Sequence, residues 1–561
     1  MAGATGIGLL PKLCGADIEL GNFITGRLND EDTCLEAAVL VLNEIGGLPL
    51  PRVSAYARSG YAGSGEDGTY GRPAWNRSYG TLRDWNRRFL PANGGCAYID
   101  LSHLELCLPE VRRALDHVAC WHALLRMTRQ AMERANAMLP DGERIEILVN
   151  NSDGFGNSYG SHLNFLVTRE AWDTMLRRKV QYAMMLAAYQ VSSILFTGQG
   201  KVGCERSAWR AGEPVGAAEV PYQISQRADF FEEQLGEQTS VSRPLVNTRD
   251  EPLCGPYKWS REAEDPRARE MARLHVIFYD STLCHGASFL KVGVLQVILA
   301  MMEAGFLDRS LILDDPLEAL RLWSRDLSLE ARARTEGGEE LTALELQFRF
   351  LEHAKEFVAE RLVFGDRCNG IVPQASRIVE LWEDTLVKLE NRDFTSLARR
   401  LDWVLKLAIL RRALEQHPHL TWQSPELKHL DLAYGNLDSQ RGLYWAYERA
   451  GVVERLVDDN RIDWFTRHPP EDTRAWGRTM LLRLANAASV ERVDWDSIEV
   501  VSRDAEFRKV SRELSMPNPL GFTRQALQGV LRSATPIEGI LDDLGARSTL
   551  IRSEASVWTW C

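Results

Sequence analysis

The segment GADIELG at residues 15–21 alternates apolar and acidic residues. In a β-strand that period sends neighbouring side chains to opposite faces. Ala16, Ile18 and Leu20 then turn toward a core, while Asp17 and Glu19 stand side by side on the other face. Two carboxylates so placed suit a hard cation such as Mg²⁺; they equally describe a half-exposed edge strand whose acids are solvated. Further along, NGGCAYIDLSHLELCLPE at 93–110 puts Tyr98, Asp100 and Ser102 on one face, opposite Ala97, Ile99 and Leu101. His103 and Glu105 follow with the parity switched, and a bulge or bend near 101–103 would return them to the side of Asp100. Asp, His and Glu within six residues make a metal-and-base constellation or a polar strand end.

A third stretch, NNSDGFGNSYGSHLNF at 150–165, follows the strand-like RIEILV. Asn, Asp and Gly are turn residues, because they tolerate positive φ and bond their own backbone. Within it Ser158, Gly160, His162 and Asn164 alternate against Tyr159, Ser161, Leu163 and Phe165. His162 and Asn164 would therefore face a site, the glycines would let a ligand approach the backbone, and Asn side chains and N–H groups would suit phosphate.

Elsewhere, helical spacing runs through 110–137, 170–190 and nearly all of 315–416, interleaved irregularly with short strands, which predicts an α+β fold. Residues 59–83 are rich in Gly, Ser and Tyr and read as a long mobile loop. RHPPEDTR at 467–474 reads as a linker, dividing a domain over 1–465 from a small C-terminal domain over 466–561. The apolar run VGVLQVILAMMEAGFL is interrupted by Gln296 and Glu303 and reads as a core helix, too short to span a membrane. Net charge is -12 with no Lys/Arg block, so neither nucleic acid nor membrane is expected as a partner. The ten Cys form no C-x-x-C pair, and the N-terminus lacks a secretory pattern, so a cytoplasmic protein with reduced thiols is expected. The ending SVWTWC suggests Trp558 and Trp560 pack on the surface, or serve as a docking tail.

Together the three polar strands resemble the Pup ligase and Pup deamidase (depupylase) family, whose members carry E-x-E-[FY]-G, N-G-A-R-x-Y-x-D…H-P-E-Y…P-E and N-N-x-D-x-x-G-x-S-Y-G-x-H-E-N. TGQGKVG at 197–203, YQISQRADFFEEQLGEQTSVSRPLVNTRDEP at 222–252 and RLHVIFYDSTLCHGASFLKVG at 273–293 continue it in the same order. The resemblance implies a glutamine synthetase-like large domain, with a curved, mostly antiparallel sheet backed by helices. It also implies ATP (or ADP plus phosphate) and Mg²⁺ as cofactors, and chemistry at the C-terminal Gln or Glu of a Pup-like small protein or peptide. Carried over by position, Asp17, Glu19, Glu105 and His162 resemble metal ligands, and Asp100 the catalytic aspartate with Tyr98 beside it. His103, Asn164, Arg227 and Arg249 resemble nucleotide or phosphate contacts; the two arginines could instead pair with Asp229 and Asp250.

The three-residue step from Asp100 to His103 and the long loop before that strand resemble the deamidase branch. Departures from the family pattern fall at Asp17 (Glu in the family), at Leu163, Thr282 and His285, and at Gly435, where the family has His. The leading expectation is a nucleotide- and Mg²⁺-dependent amide or isopeptide hydrolase. An ATP-dependent ligase joining a Glu side chain to an amine, and a nucleotide-binding regulator without turnover, are the alternatives.

Overall fold

In the computed structural model, residues 9–28, 30–46, 48–49, 87–154, 156–205, 220–251, 253–254, 270–364, 367–368, 370–485, 490–503, 509–531, 539–541 and 551–555 are described. The 59–83 loop and both terminal tryptophans lie outside them.

Strand β1 (Cys14–Thr25) is the centre of the large sheet. It is followed by α1 (Glu31–Glu44), β2 (Leu48–Pro49), β3 (Arg88–Phe89), β4 (Cys96–Asp100), β5 (His103–Val111), α2 (Ala114–Asn136), β6 (Arg144–Leu148), β7 (Ser161–Thr168), α3 (Val180–Thr197), β8 (Met271–Val276) and α4 (His285–Glu303). The order is β8-β7-β1-β5-β4-β3-β2, with β6 pairing the far half of β1. Every one of these pairings is antiparallel. The fold is α+β, as the irregular alternation predicts. One face of the sheet, with Ile18, Leu20, Ala97, Ile99, Leu104, Leu106, Leu163 and Phe165, belongs to a single core that includes side chains of α1, α2, α3 and α4. At about 25 cal/mol per Å² of apolar surface removed from water, that burial is the main force holding the sheet to its helices.

Helix α4 has no capping side chain of its own at Cys284. Asp402, distant in sequence, instead accepts from Leu283 N (2.8 Å) and Cys284 N (3.2 Å), placing a carboxyl group at the positive end of the helix dipole. The helix is 19 residues long, so by length and apolar composition it could cross a membrane, contrary to the expectation that it is too short. Its apolar window is wholly buried inside the protein, which makes it a core helix.

Three other expectations are revised. The helix read over 170–190 breaks at Lys179, where φ and ψ leave the helical region. The helical region 315–416 contains two small hairpins, Arg332–Arg334 with Glu340–Thr342 and Val363–Phe364 with Arg367–Cys368. The segment 467–474 is no free linker: Thr473 and Arg474 are buried, and a helix runs from Arg474 to Leu484. The division expected at 465/466 falls within the helix Asp459–Arg467.

After residue 484 comes a four-stranded antiparallel sheet of β9 (Val490–Val493), β10 (Ser497–Arg503), β11 (Lys509–Ser515) and β12 (Ile551–Ala555). Its Val493, Ile498, Val500 and Leu514 share a second core with Phe89, Cys96, Tyr98 and Cys107 of the large sheet. This C-terminal segment therefore covers one end of the polar face. Glu110 ties it down, accepting from Arg474 (2.7 Å) and Arg478 (2.9 Å), all three buried. Arg478 also donates to the carbonyls of Gly94 and Trp495.

Candidate active site

The polar face carries the site. Pairing of β1 with β5 sets Glu19 opposite Glu105 and Asp17 opposite Cys107; pairing with β7 sets Asp17 opposite His162. On the other side of β5, Tyr98 faces Glu105 and Asp100 faces His103. Cross-strand partners share a face and lie about 5 Å apart, so residues distant in sequence converge.

What returns His103 to the side of Asp100 is a two-residue hairpin, not a bulge. Leu101 (φ 44°) and Ser102 (φ 68°) both occupy the left-handed region, as tight hairpin turns require. Leu101, expected to point to the core, is instead exposed at the turn, and Ser102 is a turn residue with no strand face. Asn22 supports the turn: its side-chain amide donates to the Ser102 carbonyl (3.0 Å) and its oxygen accepts from Leu104 N (3.1 Å).

Two clusters of donors result. In the first, ligand atoms of Glu19, Asp100 and Glu105 lie within 4.8 Å of one another. Burial, with Asp17, Glu19 and Asp100 nearby, pushes the Glu105 carboxyl well above its ordinary range. This oxygen-only donor set fits a hard divalent ion. Tyr98 donates to Glu105 at 2.5 Å. Gly160 N donates to the Glu19 carboxylate, and the Gly160 carbonyl accepts from Glu19 N. His103 lies with Nδ1 3.1 Å from the Leu20 carbonyl and stacks on Tyr159.

The second cluster comprises Asp17, His162 and His275, again within 4.8 Å. Burial alone would raise the Asp17 carboxyl; the hydrogen bond and charge of His162 hold it well below the usual range. His162 Nδ1 lies 3.3 Å from Asp17, and Asn164 donates to the other oxygen at 2.5 Å. Arg273 in turn donates to Asn164 (2.8 Å) and to Glu251. His275 and Arg273 were not anticipated from sequence, although RLHV carries the period-two signal that places His275 opposite Asn164.

Arg227 does not pair with Asp229, which binds Lys201 (2.9 Å) and Arg325 (3.0 Å). It is fully buried, donates to the Ile277 carbonyl and to Ser158 Oγ, and leaves Nη2 without a partner. Burial, followed by the charge of Arg243, lowers it to about 9. Arg243 donates to the Ser158 carbonyl at 3.0 Å. Arg249 is partly exposed and lies 3.8 Å from Glu251, while Asp250 is engaged by Arg169 and Arg177.

The loop 150–160 mostly organises itself. Asn151 bonds Gln226, Tyr159 and Ser281, and Tyr159 donates to Asn150 and the Ser152 carbonyl. These asparagines are structural, not free phosphate donors. At Gly160 the space beside the backbone is filled by the His162 ring, where a Cβ would strike Nε2.

Of the departures, Asp17 stands in the site, while Leu163, Thr282 and His285 are buried on the core side. Leu163 is buried beneath β7, as alternation predicts. Thr282 bonds Ser288 Oγ, and its carbonyl accepts from Trp121. His285 packs on His122 and accepts from Leu456 N at 3.2 Å, so it is a core residue and neither replaces nor removes a ligand here. At Gly435 any Cβ would collide with the Val149 carbonyl, so this backbone contact excludes a larger residue.

The family profile described as "Pup-ligase protein" matches residues 68–499. The depupylase of Acidothermus cellulolyticus is 35% identical over 454 residues, covering 80% of this chain and 82% of that protein. The Pup deamidase/depupylase of Mycolicibacterium smegmatis is 33% identical over 72% of this chain and 74% of its own. The Pup–protein ligase of Kribbella flavida is 35% identical over 72% and 82%. Among solved structures, the Pup ligase PafA in complex with ADP superposes with a TM-score of 0.66 at 27% identity, covering 82% of this chain and 91% of that one. PafA in complex with Pup superposes at 0.72 with 24% identity, over 96% and 95%. The chain belongs to the Pup ligase family.

Proposed function

We propose that this protein is a nucleotide- and Mg²⁺-dependent hydrolase, cleaving the amide or isopeptide bond at the C-terminal Gln or Glu of a Pup-like modifier. The observation that carries this reading is Asp100: the hairpin delivers it into the Glu19/Glu105 cluster, opposite His103. A bound Mg²⁺ neutralises phosphate oxygens and positions them. The chain's own part is to hold the ion and orient the reacting groups. Glu19, Glu105 and Asp17 are the proposed carboxylate ligands, with His162 beside Asp17. Asp100 is the proposed base or nucleophile, accepting the proton of an attacking water or attacking the acyl carbon itself. Tyr98 is buried and engaged with Glu105, so it is proposed as a positioning residue in place of a catalytic one. The unpaired Nη2 of Arg227 and the neighbouring Arg243 are suited to phosphate or carboxylate; Asn164, His103 and Arg249 complete the proposed nucleotide-side wall. Cys14, Cys96, Cys107, Cys120, Cys254 and Cys284 are buried free thiols, consistent with a reducing cytoplasm.

A ligase reading is favoured by one fact: the Pup–protein ligase of Kribbella flavida is as identical to this chain, at 35%, as the depupylase of Acidothermus cellulolyticus, over 72% of the chain against 80%. Incubation with a Gln-terminated Pup-like peptide, ATP and Mg²⁺ separates the two. Release of ammonia with the nucleotide pool unconsumed supports the hydrolase. ADP formed in step with conjugation of an amine to a Glu-terminated peptide supports the ligase. Neither product with either peptide would leave the nucleotide-binding regulator.

A further inference from the structure

We infer that Arg87 is a positioning residue of this site: it holds Tyr98, and through Tyr98 the orientation of Glu105, from the side that the C-terminal segment covers. The inference rests on the proposed metal- and nucleotide-dependent reading and deepens it.

The large sheet carries the side chains concerned in one row. Glu19 on β1 stands opposite Glu105 on β5, and Glu105 opposite Tyr98 on β4. The register of β3 with β4 pairs Arg88 with Ala97 and Phe89 with Cys96; one residue further along it, Arg87 falls opposite Tyr98. Its guanidinium lies over the Tyr98 ring, 5.4 Å from the centroid, within the reach of a cation–π attraction. The Tyr98 hydroxyl donates to Glu105 at 2.5 Å, so a shift of the ring carries that hydroxyl away from the carboxylate it orients.

Arg87 is fixed from its other side as well. It donates to Asp494 at 3.3 Å, in the turn between β9 and β10, where Asp494 N donates to the Ser497 carbonyl. Asp494 also accepts from Trp495 N at 2.8 Å, and the Trp495 ring meets Phe89 edge-on with centroids 5.3 Å apart. The turn therefore grips the β3 side of the sheet at residues 87 and 89. The Arg87 and Asp494 side chains are 15% and 33% exposed, and an ion pair this open contributes little to stability. With its charge balanced by Asp494, Arg87 also exerts little net field on the acids beyond the ring. What it supplies is placement of the hydroxyl that Glu105 depends on.

The test uses the full-length protein and calorimetry of ADP binding in saturating Mg²⁺. Arg87→Met keeps the apolar stem and removes the charge; it should weaken ADP affinity about fivefold, and Arg87→Lys should bind within about twofold of wild type. In a Tyr98→Phe background, Arg87→Met should cost less than about twofold further, because the two changes act on one contact. Unchanged affinity in Arg87→Met, no recovery in Arg87→Lys, or the full loss in the Tyr98→Phe background would each overturn the inference. The melting temperature of Arg87→Met should stay within about 2 °C of wild type. If that variant does not fold, Arg87→Gln takes its place, and failure of both makes Arg87 part of the fold and ends the inference. Calorimetry needs no turnover, so the two readings fail separately. A wild type that binds ADP yet cleaves neither peptide removes the proposed hydrolase and leaves the Arg87 result to stand; wild-type affinity in Arg87→Met beside normal cleavage removes only the role of Arg87.

Discussion

Asp100 and Glu19 share a donor cluster but have different expected consequences. Asp100→Asn keeps shape and removes proton affinity. Turnover should fall by at least about 10²-fold while nucleotide still binds; near wild-type turnover on a Gln-terminated peptide would remove Asp100 from the chemistry. Glu19→Ala removes a proposed ligand and leaves Gly160 N without its acceptor. Affinity for Mg²⁺-nucleotide should fall at least about tenfold, or about 1.4 kcal/mol. Calorimetry showing unchanged affinity would place the ion elsewhere. Both residues were legible from sequence, since alternation alone puts them on the polar face. His275 was not singled out, because the alternation in RLHV gives its face but not its partners across the sheet, which the register decides.

At the scale of elements, the β4–β5 hairpin does the positioning. Its turn uses Leu101 and Ser102 at positive φ, a conformation better suited to Asn and Gly that costs other residues on the order of 1 kcal/mol each. Leu101→Asn with Ser102→Gly keeps the Ser102 carbonyl that Asn22 needs. The double variant should raise the melting temperature by about 1–2 °C with turnover unchanged. A lower melting temperature would show that the Leu101 and Ser102 side chains themselves support the turn. The sequence reading found the acids and the need to bring His103 and Glu105 back to the side of Asp100, and expected a bulge or bend where a tight turn stands. Leu-Ser carries none of the usual turn chemistry, so here the pairing of long flanking strands overrides local propensity.

Across the whole molecule, the buried Glu110–Arg474–Arg478 group joins β5 to the C-terminal segment. Burial would raise the Glu110 carboxyl, but the two guanidinium charges dominate and lower it to about 2. A folded value below the ordinary 4.5 means that the stabilisation is present above that pH. It is lost as pH falls from about 4.5 through about 2, a contribution on the order of 3 kcal/mol. Glu110→Gln should therefore destabilise the protein by a few kcal/mol at pH 7, and its deficit relative to wild type should shrink as pH falls through that window. Urea unfolding at pH 7, 4 and 3 measures this, and a deficit that does not change with pH would assign the loss to packing instead of charge. The sequence read 467–474 as a linker because Pro and charged residues usually mark exposed chain. The buried arginines reverse that reading, since a charge enters a core when its counter-charge is already there.

By itself the sequence determined the main strands of the sheet, the face on which its acids stand, that the apolar run at 292–307 belongs to a core helix, and the family. All of these follow from residue period or from long ordered motifs, which survive without knowledge of contacts. The tertiary structure alone decided that Glu105 returns to Asp100 through a tight turn, that His285 and Thr282 lie in the core, that Arg227 is buried with an unpaired donor, and that His275 meets Asp17 and His162. Those facts depend on register between strands and packing between helices more than a hundred residues apart, and a one-residue slip in pairing would send each side chain to the other face.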